Sequence, residues 1–230
     1  MKKILMITVI FLGSLQVSAQ IDEDQTGAWY MYFFNAKFSE SNIGFQGDIQ
    51  YRNWNLGGDL EQLLLRGGLN YQPAGSDVRF TLGYGNITTG VMGEEKTTSS
   101  EHRIYQEALL PHNPLPRVFL NHRFRYEQRF VEDQDLRTRY RYTLFMNVPL
   151  NKSSVQPGAV YLALYNELFI NGQRSIGGDR QVELFDRNRT YLGIGYSVLD
   201  NLKVQAGWML QATDNWTKGQ LQVSLHHRLF

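Results

Sequence analysis

The chain has 230 residues, with 23 Lys and Arg against 22 Asp and Glu, and no cysteine. A formal net charge of +1 gives no bulk attraction to nucleic acid. Without cysteine, neither a disulfide framework nor a lipid-modified cysteine is available.

Lys2 and Lys3, the apolar run Ile4 to Leu12 and the small residues Val17-Ser18-Ala19 follow the pattern of a cleaved secretory signal. Residues 1–19 are expected to be a signal peptide and residues 20–230 one mature domain, roughly 210 residues long and sufficient for a single all-β barrel. No later segment reaches the ~18 apolar residues of a membrane helix. The mean hydropathy is slightly negative, which does not weigh against a barrel, because only alternate residues of its strands face lipid.

After Gln20, period-two alternation recurs and helical periodicity does not. Gly27 to Phe34, aromatic on both faces, predicts a first strand. Ile43, Phe45, Ile49 and Tyr51 then alternate with Gln46, Asp48, Gln50 and Arg52, and Leu63, Leu65, Leu69 and Tyr71 with Gln62, Arg66 and Asn70. Val78, Phe80, Leu82 and Tyr84 oppose Arg79, Thr81 and two glycines, and Glu101 to Leu110 is a weaker segment with Arg103 and Glu107 on one face. Next come RVFLNHRFRYEQRF (117–130) and RTRYRYTLFMNVPL (137–150), each with one greasy and one cationic face. Val160 to Leu168, Arg187 to Tyr196, Leu202 to Gln211 and Gln220 to Leu225 complete the series.

Between these segments, compact turn sequences at Pro73 to Asp77, Pro111 to Pro116, Pro157-Gly158 and Leu199 to Asn201 take turns with longer polar stretches. Those stretches are Asn53 to Leu60, Thr88 to Ser100, Val131 to Leu136, Asn171 to Val182 and Thr213 to Thr217. Alternating short turns and long loops match the two sides of an outer-membrane barrel. Aromatics near strand ends and a final strand ending on Phe230 agree with it. The expected fold is therefore all-β: a single transmembrane antiparallel up-and-down β-barrel in the outer membrane of a Gram-negative bacterium, exported by its signal peptide. Only about eleven segments are visible, and bacterial single-chain barrels have even numbers. Twelve strands are therefore expected, with ten as the fallback and a missed strand sought between Asn171 and Phe185.

The segments FRYEQRF, RTRYRYTLF, YNELFIN and FDRNRTYLGIGY, in this order, resemble the domain-of-unknown-function family 2490. The resemblance covers most of the mature chain. It implies a secreted outer-membrane barrel of Bacteroidetes and other Gram-negative bacteria, and it implies no activity, because the family has none established.

Arg123, Arg125, Glu127 and Arg129 share the polar face of one strand, and Arg137, Arg139 and Arg141 that of the next. Arg187 and Arg189 lie on a later strand, Arg103 with Glu107 on an earlier one, and Glu167 between. Neighbouring strands lie about 4.8 Å apart, so these sets should interleave, with carboxylates bridging the guanidiniums in bidentate pairs. The expected function is a narrow pore or small-solute channel whose arginine-rich lumen favours anions, with two alternatives. Unpaired arginines would make a narrow pore favouring a small anionic solute. Fully paired ones would make a structural or assembly protein with a plugged lumen. A soluble periplasmic β-barrel binding protein is the third possibility. The expected partners are outer-membrane lipid, the outer-membrane assembly machinery and a small anion, with no nucleic acid.

Chemistry of other kinds has little support. There is no GxSxG, and the only local Ser/His grouping is His102 beside Thr97 to Ser100. His226 and His227 point to opposite faces of a strand and cannot chelate together. Gly83-Tyr84-Gly85 and Gly193-Ile194-Gly195 are followed by no helix, so they are not phosphate loops. No enzyme activity, cofactor or metal is expected.

Overall fold

The computed structural model describes residues 23–38, 40–93 and 96–230, and the expected signal peptide lies outside them. Eleven strands form one closed barrel: β1 (Gly27–Lys37), β2 (Ile43–Asn53), β3 (Leu60–Tyr71), β4 (Arg79–Gly90), β5 (Thr98–Leu115), β6 (Val118–Val131), β7 (Arg137–Pro149), β8 (Val160–Asn171), β9 (Phe185–Leu199), β10 (Leu202–Ala212) and β11 (Thr217–Arg228). Every neighbouring pair is antiparallel except the closing one, where β1 runs parallel to β11 from Gly27↔Gln220 to Asn35↔Arg228.

This corrects the expected twelve strands, and the fallback of ten. An odd number of strands leaves the first and last running in the same direction. A parallel ladder still satisfies the backbone groups along the seam, with only slightly weaker pairing per residue. The segment searched for a further strand holds only an isolated bridge, Ser175↔Gln181. The start of β1 and the end of β11 therefore lie at opposite ends of the barrel.

The connections 38–42, 72–78, 116–117, 150–159 and 200–201 gather at the end where β11 finishes, and 54–59, 91–97, 132–136, 172–184 and 213–216 at the other. The expected alternation of short and long connections holds only in part: 116–117 and 200–201 are tight and 172–184 is long, but 72–78 and 150–159 are longer than 54–59, 132–136 and 213–216. Pro111 to Leu115 differ from expectation: they extend β5 rather than form a turn, and the chain reverses only at 116–117. β4 pairs with β5 no further than Leu109, so the tip of the β5–β6 hairpin overhangs its neighbour. Arg117 sits in the left-handed region with φ 68°, and its guanidinium donates to the carbonyls of Pro149 and Leu150, tying this tip to the end of β7.

Alternation sorts side chains by wall. Leu69, Leu82, Phe124, Tyr140, Leu192 and Ile194 are exposed on the outside, while their chain neighbours turn into the lumen. The lumen is asymmetric. On the side of β1 and β8–β11 it is filled by Trp29, Tyr161, Ala163, Tyr191 and Met209, with Tyr165 stacked on Tyr191 at a centroid distance of 5.0 Å. Inward glycines make room for these rings: any side chain at Gly195 would overlap the ring of Tyr161, and one at Gly83 the ring of Tyr105. Most of the charged side chains lie on β5–β7, with Glu167 on β8, Asp186, Arg187 and Arg189 on β9, and Asp48 and Arg66 on β2 and β3.

Candidate functional site: the arginine-rich lumen

The pairing register brings the predicted ladders face to face. Glu107 lies opposite Arg125, Glu127 opposite Arg139, and Arg125 opposite Arg141. Carboxylates fall between guanidiniums both across and diagonally. Arg125 donates through Nε and Nη2 to Glu107 Oε2 at 2.8 and 2.5 Å. Glu127, with no solvent exposure at all, accepts from Arg139 Nε and Nη2 at 2.9 and 2.6 Å and from Arg141 Nη1 at 2.5 Å. Glu167 accepts from Arg141 Nη2 at 2.5 Å and from Arg123 Nη2 at 2.7 Å, with Arg189 Nη1 at 3.9 Å. Glu101 is held by both Arg103 and Arg129, each through two nitrogens. The fork-to-fork pairing expected from the sequence holds at Glu101, where each arginine meets both oxygens, whereas Arg125, Arg139 and Arg141 each direct two nitrogens at a single carboxylate oxygen.

Eight of the twelve predicted residues (Glu107, Arg123, Arg125, Glu127, Arg139, Arg141, Glu167 and Arg189) are joined in one run of ion pairs, and Arg103 and Arg129 form a separate triad with Glu101. Arg187 joins the longer run through Asp186 at 3.1 Å. Arg137 stands apart at the rim, half-buried and bonded to Gln134 Oε1 at 3.1 Å.

The structure adds charges that strict alternation conceals. Asp186 falls at a β-bulge, where Phe169 pairs with Arg187 but Ile170 pairs with Phe185. The extra residue turns its carboxylate inward to Arg139 Nη1 at 2.7 Å. A second bulge, between Arg52↔Gln62 and Asn53↔Leu60, does the same for Glu61, which accepts from Trp29 Nε1 at 2.8 Å. Asp48 and Arg66, already on polar faces in the sequence, pair at 2.9 Å. Arg52 has a different environment. It is buried and donates only to the neutral Gln50 and Gln62, while its guanidinium lies 3.7 Å from the centroid of the Trp29 ring.

Two spaces flank this network. Toward the end where β11 finishes lies a chamber of about 430 Å³ whose wall mixes Met31, Phe33, Tyr105, Phe145 and Tyr161 with Arg123, Arg125, Lys203 and His226. In that wall Arg123 Nε and Arg125 Nη1 are buried and have no hydrogen-bond partner among the described residues. Toward the other end lies a small cavity of about 50 Å³. Arg103, Arg129, Arg139 and Arg187 line it alone, while Arg52, Arg66, Arg141 and Arg189 line both spaces and form the partition between them. Carboxylates back these guanidiniums, yet none lines the small cavity.

Among the described residues, no group of three or more His, Asp and Glu is placed to hold a metal. Neither the curated proteins nor the solved structures contain a match to this chain. The family model described as protein of unknown function (DUF2490) matches residues 26–222, from the start of β1 to the middle of β11. The interlocked charges of β5–β9 thus sit within the matched region, and the chain belongs to this family of unknown function.

Proposed function

We propose that this protein is an outer-membrane β-barrel of a Gram-negative bacterium that acts as a one-ended receptacle for a small solute bearing an acidic group, and not as an open pore. One observation carries the reading: side chains divide the lumen into two spaces, with Arg52, Arg66, Arg141 and Arg189 lining both, and the charges of β6–β8 hold Arg141 in that partition through contacts of 2.5 Å to Glu127 and Glu167. The chamber beside this barrier has the size of a small-molecule site. Its aromatic wall suits an apolar body, and Arg123 and Arg125, whose Nε and Nη1 meet carboxylates only at 3.7 and 3.8 Å, supply cationic charge for an acidic group.

The apolar outer wall supports lipid as the surrounding medium, and outer-membrane assembly machinery as the partner in insertion. An anion-preferring passage is the second reading, favoured by the all-arginine partition between the two spaces. Osmotic swelling of vesicles loaded with the purified barrel separates the two. The receptacle predicts no faster entry of chloride, phosphate or small sugars than in empty vesicles. Rapid anion entry would replace it with the passage, and rapid entry of sugars as well would sink both.

A further inference from the structure

We propose that the small inner cavity is a binding site for a single inorganic oxyanion of the phosphate or sulfate class. The charged side chains on its wall are all guanidiniums, and they are held in place before any ligand arrives. Glu101 fixes Arg103 and Arg129, and Glu127 and Asp186 fix Arg139. The Phe169 ring carries the guanidiniums of Arg139, Arg141 and Arg189 at 5.1, 4.6 and 4.8 Å from its centroid. Each carboxylate approaches from behind and leaves the inner side of the cavity cationic.

Arg52 tips the balance toward a ligand. It is buried, it lines the cavity, and among the described residues no carboxylate comes within 4.0 Å of it. Glu61, held by the Trp29 indole, acts on this guanidinium through space, but so do the like charges of Arg189 and Arg66, and with no carboxylate in contact an anion in the adjoining cavity adds compensating charge. Size and shape narrow the class. A water needs roughly 10–15 Å³ of such space, so about 50 Å³ admits one tetrahedral ion with a water or two but no organic anion. Planar forks that donate in pairs match the oxygens of an oxyanion better than a spherical halide. Entry is from the end away from the chamber, where Arg187 keeps 26% of its side chain exposed.

The site shares four arginines with the chamber, while Arg103, Arg129, Arg139 and Arg187 line it alone, so this inference is separated from the receptacle reading by the ion bound and by a variant confined to the small cavity. The test is isothermal titration of the mature protein in detergent micelles with inorganic phosphate, sulfate and chloride in turn. Heat-modifiable gel mobility checks that each variant is folded. Phosphate or sulfate should bind saturably at one site. Arg52→Gln and Arg103→Gln, the second of which lines the small cavity alone, should each weaken binding about tenfold or more, the loss of a hydrogen bond to a charged group. Arg174→Gln, which removes an exposed guanidinium outside both spaces, should leave it unchanged. Absence of saturable binding to the wild-type protein would overturn the proposal, as would full affinity in folded Arg52→Gln. Chloride binding as tight as phosphate would overturn the oxyanion class.

Discussion

Replacing Glu127 by Gln removes a fully buried charge while keeping nearly the same shape. Its carboxylate accepts two hydrogen bonds from Arg139 and one from Arg141, and Arg125 Nη1 lies 3.8 Å away. Removing one partner of a buried ion pair costs about 3–5 kcal/mol, because the remaining charge is left uncompensated. Here Arg139 keeps Asp186 at 2.7 Å and Arg141 keeps Glu167 at 2.5 Å, which places the loss at the lower end, about 3 kcal/mol. Urea unfolding in phospholipid vesicles, followed by the fluorescence of the four tryptophans, measures it. The exposed pair Arg174–Glu183, 3.6 Å apart with side chains 60% and 67% exposed, is the internal control. Glu183→Gln should leave the transition where it was, since such pairs contribute little. A loss below about 1 kcal/mol for Glu127→Gln, the range of exposed pairs, would refute the idea that these contacts hold the lumen shut.

Further expectations concern the outer wall and the closure. Leu192, at mid-strand on β9 and 58% exposed, faces lipid in this account. Leu192→Arg should therefore cost about 2–4 kcal/mol in vesicles, and an unchanged unfolding curve would argue for an aqueous surround. Tyr30 and Val223 are partners on the parallel seam, so cysteines at both positions should cross-link under mild oxidation. Cross-linking of Tyr30→Cys to a cysteine at Ser224 instead would shift the register. The absence of native cysteine also makes single-site labelling clean. Asp200→Cys and Asn215→Cys lie at opposite ends of the barrel and should react with an impermeant maleimide from opposite faces of the membrane. Labelling of both from one face would contradict a spanning barrel.

Much of the barrel was legible because a strand's two faces are written in alternate residues. All eleven strands coincide with segments picked out in the sequence, nearly all by alternation and the first, Gly27–Lys37, by its aromatic residues on both faces. The count failed for a reason outside the strands: an even number was imposed, whereas β1 and β11 close in parallel. Pro111 to Pro116 read as a turn by composition, yet β6 pairs with β5 past those prolines and keeps the hairpin extended. The charge ladder on β6 and β7 was visible because both strands keep perfect alternation through it. Glu61 and Asp186 were invisible because each sits at a bulge, where parity breaks and a residue of the wrong phase turns inward. Asp48, Arg52 and Arg66 were on polar faces from the outset. What one-dimensional reading could not supply was the curvature of the barrel, which carries β2 and β3 across to the arginines of β7 and β9 at the small cavity.

The central claim is that arginine–carboxylate contacts close this lumen between its two spaces, and planar-bilayer recording tests it most directly. The wild-type barrel should insert without steady conductance. Glu127→Gln and Glu167→Gln, which loosen the barrier and leave its arginines unmatched, should produce brief openings that prefer anions. Steady conductance from the wild-type protein at low voltage would contradict the account and make the lumen a pore.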